Sequence, residues 1–218
     1  MFAYNLTQNN YPSITLHDKA TVALQLMDDY DVQHLCIVNN KKFIGIISKN
    51  DLLDAGKYAI ISSLQQNFIQ SSVKTNAPFT EVLKTFTQTG LTIVPVIDNN
   101  KQLVGIITQQ QFLKTLAEIM NVNEEGAVII LEVDKKNFSV GEINRLVETN
   151  DAHITQLNTL AGNENTLLVN LKINRTEVSD IVATFQRYDY SVKYFFGEEY
   201  YNNQLQENYN HLISYLSV

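Results

Sequence analysis

Two four-residue stretches concentrate the groups able to hold a ligand: Ser48-Lys49-Asn50-Asp51 and Thr108-Gln109-Gln110-Gln111. Each follows an apolar run with a glycine inside, Phe43 to Ile47 and Leu103 to Ile107. Ser48 and Thr108 stand where a helix N-cap belongs. A hydroxyl at a helix N-terminus lies among unpaired backbone N–H groups, which makes a seat for phosphate. A carboxylate one turn later can accept two hydrogen bonds from a ribose diol. The first stretch has both groups. The second has Gln111 in place of the acid, an acceptor without the charge that strengthens it. The same residues also suit a purely structural role. Ser48 then caps its helix and Asp51 favours the positive end, the cap contributing ~0.5–2 kcal/mol. Residues 1–120 contain no arginine, so phosphate charge would fall to Lys41, Lys49, Lys74 or backbone amides.

Other chemistry is missing from the sequence. His17, His34, His153 and His211 show no paired spacing for a metal and no adjacent acid pair. Cys36 is the single cysteine, which rules out an intramolecular disulfide and a multi-thiolate site. It alternates with His34 on one strand face and reads as a core thiol. Ser48 has no base near it in sequence to make it a nucleophile. No glycine-rich phosphate loop of the Walker or dinucleotide type occurs. The expectation is a binding protein, not an enzyme, with no metal and no required cofactor.

Bulk properties narrow the partners. Apolar residues make up 44% and charged residues 18%, as in ordinary globular chains. The net charge of −7 is unevenly placed. Residues 1–120 hold nine Lys and nine acids, whereas residues 121–218 hold seven Lys or Arg against fourteen acids. No region offers the basic face that nucleic acid demands. Apolar runs are strand-length, far short of the ~20 residues that span a bilayer. Met1 to Asn10 carries no basic residue and does not read as a secretory signal. A cytoplasmic protein is expected, with neither nucleic acid nor membrane as partner.

The elements that position the two stretches come from a duplication. Ser13 to Leu53 aligns with Ser72 to Leu113: Ser13 on Ser72, Thr21 on Thr80 and Leu24 on Leu83, at an offset of 59. One extra residue in the second turn makes it 60, placing Gly45 on Gly105 and Ser48 on Thr108. Each unit reads as strand, helix, strand, turn, strand, helix. Val22, Leu24, Leu26 and Met27 mark the first helix, and Val82, Leu83 and Phe86 its counterpart. Asn39-Asn40-Lys41-Lys42 and Asp98-Asn99-Asn100-Lys101 are polar hairpin turns. Glycine inside the returning strands calls for close backbone approach.

This arrangement resembles a pair of CBS repeats. The resemblance rests on unit length, element order, the Phe-Ile-Gly-Ile-Ile-Ser and Leu-Val-Gly-Ile-Ile-Thr strands, and Val94-Pro95-Val96-Ile97-Asp98. It covers residues 1–120, with repeats at about 13–56 and 72–117. It implies a pseudo-two-fold Bateman module with two clefts, often occupied by adenosyl compounds: AMP, ADP, ATP or S-adenosylmethionine. One cleft would take Ile46, Ser48 and Asp51, completed by Ala77, Val82 and Leu103. The weaker cleft would use Ile106, Thr108 and Gln111 with Asp18, Ala23 and Phe43, the Asp18 charge opposing phosphate. At most one ligand per chain is expected.

Residues 126–197 change pattern. Strand-like runs at Ala127–Val133, His153–Leu160, Thr166–Ile173 and Ser191–Phe196 alternate with helical spacing at 139–150 and 177–188. Ser139 and Glu142 stand in capping-box relation. The order βαββαβ is ferredoxin-like and resembles an ACT domain. The whole chain is similar to the acetoin-utilisation regulatory protein family. ACT domains commonly bind amino acids beside a Pro-Gly turn after the first strand. Here Asp134-Lys135-Lys136-Asn137-Phe138-Ser139 has neither residue. Over 199–218, Tyr201, Leu205, Tyr209, Leu212 and Leu216 form one helical stripe, suited to packing on the same domain or across a dimer. The expected fold is therefore α/β (α+β), a Bateman module, an ACT-type domain and a C-terminal helix. The expected function is adenosyl-ligand sensing relayed to an unidentified protein partner, the chain being a homodimer. The alternatives are a constitutive homodimeric adaptor without a ligand and an amino-acid sensor acting through the ACT-like domain.

Overall fold

Apolar residues at strand and helix periods sort the chain into two compact units, Met1–Leu116 and Ala117 onward. The computed structural model describes residues 1–8, 10–56 and 58–197. The C-terminal helix expected over 199–218 lies outside the described residues.

In unit 1 the first repeat runs β1 (Ser13–Ile14), α1 (Ala20–Asp29), β2 (His34–Asn39), β3 (Lys42–Ser48) and α2 (Lys49–Ala55). The second repeats it as β4 (Val73–Lys74), α3 (Phe79–Thr89), β5 (Ile93–Ile97), β6 (Leu103–Thr108) and α4 (Gln109–Ile119). Their sheets, β1-β2-β3 and β4-β5-β6, share one topology. The duplication extends to register. Ile14 faces Ile37 in one sheet and Val73 faces Val96 in the other. Both hairpins slip register at the same point, after Ile37 and after Val96. Asn40 and Lys41, at φ of 47° and 66°, form a two-residue turn between the paired Asn39 and Lys42.

Each repeat's core is closed by a segment that precedes the other repeat. Ala3 and Leu6, on a short 3-10 turn, pack with Val73, Val82, Phe86, Val94 and Ile107 of the second repeat. Ile61, Leu64 and Phe68 pack with Ile14, Met27, Leu35, Ile37 and Leu52 of the first. These segments also extend the sheets. Ile46 and Ile69 exchange both backbone hydrogen bonds at 3.0 and 2.9 Å, as do Gln8 and Ile106 at 2.8 and 3.2 Å. Gly45 permits this approach, because a Cβ there would stand 3.0 Å from both Phe68 Cβ and Gln70 Nε2. The expected close approach at the strand glycine is thus observed.

Unit 2 runs β7 (Ala127–Asp134), α5 (Val140–Glu148), β8 (Ile154–Ala161), β9 (Thr166–Ile173), α6 (Ser179–Arg187) and β10 (Ser191–Phe196). The antiparallel sheet has order β10-β7-β9-β8, the ferredoxin-like arrangement. Alternate residues Ala127, Ile129, Leu131 and Val133 of β7 bury against Ile143, Leu146, Val147, Ile181 and Phe185 of the two helices. Ser139 caps α5 by accepting the Glu142 N–H at 3.3 Å.

Candidate functional site

The capping roles expected of Ser48 and Thr108 are both present. Ser48 Oγ accepts the Asp51 N–H at 3.1 Å, and Thr108 Oγ1 accepts the Gln111 N–H at 3.2 Å. Beyond the caps, the two stretches differ. Asp51 is turned onto its own chain. It accepts hydrogen bonds from the Ser48 hydroxyl, the Ser48 N–H at 3.3 Å and Asn67 Nδ2 at 2.8 Å. Burial raises its carboxyl. The hydrogen bonds from Ser48 and Asn67, with the His34 charge, outweigh that and hold it below the usual range.

Asn67 stands 59 residues after Gln8, the spacing of the duplication. The corresponding pair in the other stretch is looser, Gln8 Nε2 donating to Gln111 Oε1 at 3.4 Å. Beside that pair opens a cavity of about 510 Å³. Its floor is the N-terminus of α4, Thr108 to Gln111. Its walls come from Asn10 and Tyr11 before β1, from Tyr30 to Gln33 after α1, and from Thr92. Amides dominate, with the rings of Tyr11 and Tyr30, one acid, Asp31, and one cation, Lys114. The cleft at Thr108 and Gln111, expected to be the weaker, thus opens onto a cavity.

The two repeats meet on a dry cluster beside this cavity. Cys36, Ile46, Leu91, Ile93 and Ile106 are buried there, with Tyr11, Phe43, Ile69 and Leu103 against them. Four residues expected to line separate clefts, Ile46, Leu103, Ile106 and Phe43, thus share a single inter-repeat seam. His34 and Cys36 do lie on one strand face, which points at the second repeat. Thr92 N–H donates to His34 Nδ1 at 3.3 Å, and Thr92 Oγ1 lies 2.9 Å from the same nitrogen. Burial lowers the His34 pKa against the pull of the Asp51 charge. Burial also pushes the Cys36 thiol and the Tyr11 phenol upward, so both stay protonated.

Other expected lining residues sit elsewhere. Ala77 and Val82 are buried in the second repeat's core with Phe86 and Val94, and Ala23 in the first repeat's core with Met27. Ala77 precedes the Pro78 N-cap of α3, and Val82 and Ala23 lie in the first turns of α3 and α1, each buried in its own repeat's core. Asp18 closes its own turn, accepting the Thr15 N–H at 2.6 Å and the Thr15 hydroxyl at 2.9 Å. The acid of the cavity is Asp31, held at φ 50° at the end of α1. Two of the three expected phosphate lysines are engaged: Lys49 pairs with Asp28 at 2.6 Å, and Lys74 donates to the Asp98 carbonyl at 3.1 Å. Lys114, one turn after Gln111, lines the cavity instead. Its spacing on α4 was visible in the sequence, but the resemblance did not draw attention to it.

Unit 2 has its own cavity of about 360 Å³ where β7 gives way to α5. Glu132, Asp134, Glu142 and Asp189 line it with Asn137, Tyr188 and Tyr190, and no Lys or Arg is among the lining residues. Among the described residues no cluster of three or more His, Cys, Asp or Glu is placed to hold a metal ion, and no helix is long and apolar enough to cross a membrane.

The sequence profile of the CBS domain matches residues 3–58 and 65–118, together just over half of the chain. An uncharacterized protein of Methanocaldococcus jannaschii is 26% identical over 135 residues, 52% of this chain and 47% of that protein. The chain thus spans about half the length of this curated relative. Among solved structures, a provisionally assigned acetoin utilization protein (AcuB) from Vibrio cholerae is 24% identical with a TM-score of 0.50. The match covers 57% of this chain and 96% of that one. A CBS domain pair/ACT domain protein from Thermotoga maritima is 20% identical with a TM-score of 0.50, over 55% of this chain and 99% of that one. Both structural likenesses are of fold.

Proposed function

Because the chain belongs to the CBS-domain family, we propose that its paired repeats form a regulatory module binding one adenosyl compound in the cavity at Thr108. The observation that carries this reading is the open cavity at the α4 N-terminus, with Thr108 and Gln111 on its floor and two tyrosine rings on its walls. Its volume falls within the ~300–1,000 Å³ usual for small-ligand sites. The backbone N–H groups at the start of α4 supply a phosphate seat. The Gln8 and Gln111 amides supply donors and acceptors for a ribose without a charged acceptor. Lys114 is the cation within reach, and Asp31 disfavours a long polyphosphate, so AMP, adenosine or S-adenosylmethionine fit better than ATP.

In this reading residues 1–120 are the sensing half and residues 126–197 the output half, acting as a cytoplasmic homodimer toward a protein partner. The Ser48–Asp51 stretch is then a structural cap. The amino-acid reading of unit 2 is less well supported, because its acid-lined cavity offers no side-chain cation to an α-carboxylate.

A thermal-shift series over AMP, ADP, ATP, S-adenosylmethionine and free amino acids tests the proposal. At a concentration of 100 times Kd, binding stabilises the folded chain by about 2.7 kcal/mol. The expected result is a shift with an adenosyl compound that Thr108→Val with Gln111→Leu abolishes and Asp51→Ala leaves in place. The reverse pattern would move the site to Ser48. No shift with any of these compounds would favour the ligand-free adaptor.

A further inference from the structure

The cavity at Thr108 is held from behind by a residue that stands outside its lining. His34 opens β2, half-buried, and its ring reaches across to the second repeat. The Nδ1 atom meets both donors of Thr92, the N–H at 3.3 Å and the hydroxyl at 2.9 Å. Thr92 lines the cavity, and its carbonyl accepts the Gln109 N–H at 3.0 Å. Gln109 begins α4, and its Nε2 donates to the Leu91 carbonyl at 3.0 Å. A continuous path of hydrogen bonds therefore joins the His34 ring, through Thr92, to the helix N-terminus that floors the cavity. The backbone of His34 holds a second wall, its carbonyl accepting the Tyr11 hydroxyl at 3.1 Å.

The path depends on the protonation state of one nitrogen. A backbone N–H can only donate, so the Thr92 N–H fixes Nδ1 as an acceptor and places the ring proton on Nε2. A proton added to the ring goes to Nδ1. The Thr92 hydroxyl can then turn round and accept from it. The Thr92 N–H cannot, and it is left facing a like donor. The groups around the ring set when this happens. Burial disfavours the charged ring and the Asp51 carboxylate on α2 favours it; burial dominates, so the ring is neutral at pH 7. Cys36, two residues along β2, and Tyr11 keep their protons and add no charge. Ser48 pairs with His34 across the hairpin, and the Lys49 ammonium is drawn off to Asp28 at 2.6 Å.

We propose that His34 is a positioning residue for the ligand of this cavity. The neutral ring holds Thr92 and the start of α4 in the binding arrangement, and protonation releases them and weakens the ligand. Resting on the adenosyl reading of the cavity, this role makes affinity depend on pH. By reciprocity, a bound ligand makes the ring harder to protonate. Asp51, a cap in the first repeat, thereby acts on the cavity at Thr108, because its charge sets how readily the ring takes up the proton.

NMR titration of the full chain tests both steps, the His34 ring signals being assigned by their loss in His34→Asn. In the ligand-free chain the Thr92 amide shift should follow the ring midpoint. An amide indifferent to that midpoint would overturn the role of His34 whether or not any ligand binds. Affinity for adenosine and for AMP is then measured on both sides of the midpoint, as the ratio of the native chain to His34→Asn, in which the ligand's own ionisation cancels. The ratio should fall by up to about tenfold per pH unit below the midpoint, and saturating ligand should lower the midpoint itself. Asp51→Asn should also lower it, and with it the pH at which affinity begins to fall. A constant ratio with an unmoved midpoint would overturn the positioning role and leave the adenosyl reading intact. Absence of binding at every pH, with the Thr92 amide still following the ring, would overturn the adenosyl reading and the ligand's dependence on His34 with it.

Discussion

The Asp51 carboxylate accepts hydrogen bonds from Ser48 and Asn67, while the Gln111 side chain, among the described residues, holds a long contact to Gln8. The stronger acceptor of the two repeats is therefore the more fully used by its own chain. Replacing it should register as stability. Asp51→Ala removes half of a capping box and leaves Asn67 unpaired, and chemical denaturation should show a loss of roughly 1 kcal/mol. His34 links the same region to the second repeat and adds a pH dependence. Its folded pKa lies below 6.5, so the unfolded chain takes up a proton first as pH falls. Stability should therefore be flat above pH 6.5 and decline below it, down to the folded value. Asp51, also lowered from 3.8, adds a decline only at more acidic pH, as its folded form is protonated. His34→Asn keeps an acceptor for the Thr92 N–H but does not titrate there. Its urea midpoint should lose the slope that sets in below pH 6.5. If the mutant keeps that slope, another group carries it.

At the scale of elements, the repeats were legible because their apolar residues follow fixed periods. The hairpins, both caps, the strand glycine and the extra residue in the second turn all follow from the alignment of 13–53 with 72–113. β9 and β10 fall where the sequence placed them, at 166–173 and 191–196. The segments 1–8 and 61–70 were not legible. Ala3 and Leu6, or Ile61, Leu64 and Phe68, are too few to show a period, and each segment packs only two or three apolar side chains into a core. The first segment supplies Gln8 to the cavity and the second supplies Asn67 to Asp51, so the difference between the two stretches could not be read from the Ser48 and Thr108 motifs alone. Ala77, Val82, Ala23 and Asp18 were placed by resemblance at positions that in this chain hold a core or close a turn. The crossed packing has a measurable consequence. Leu6 is 5% exposed within the second repeat's core, so Leu6→Ala should cost roughly 2–5 kcal/mol despite lying seven residues before β1. Val22→Ala on the 46% exposed face of α1 should change stability by no more than about 0.5 kcal/mol. A small effect at Leu6 would mean that the second repeat's core closes without it.

For the whole molecule, the decisive property is that each unit has its own core, one built by the crossed repeats and one by the four-stranded sheet with its two helices. Chains of this kind unfold in more than one step, and a single melting temperature then mixes separate events. Calorimetry of the full chain should resolve two transitions. An adenosyl ligand bound at Thr108 stabilises the folded form of unit 1 by mass action, so that transition must move up with ligand concentration. The second transition reports whether the signal travels. If ligand binding were confined to the repeats, the unit 2 transition would stay fixed at every concentration. A relay requires a coupling free energy between the units, typically 1–3 kcal/mol, and reciprocity makes it visible from either side. We expect the unit 2 transition to move with ligand by a smaller amount than the first. We also expect destabilising unit 2, through Phe185→Ala in its core, to weaken the ligand by fivefold or more. A ligand affinity indifferent to Phe185→Ala, with a stationary second transition, would reduce the chain to a sensor without output in unit 2.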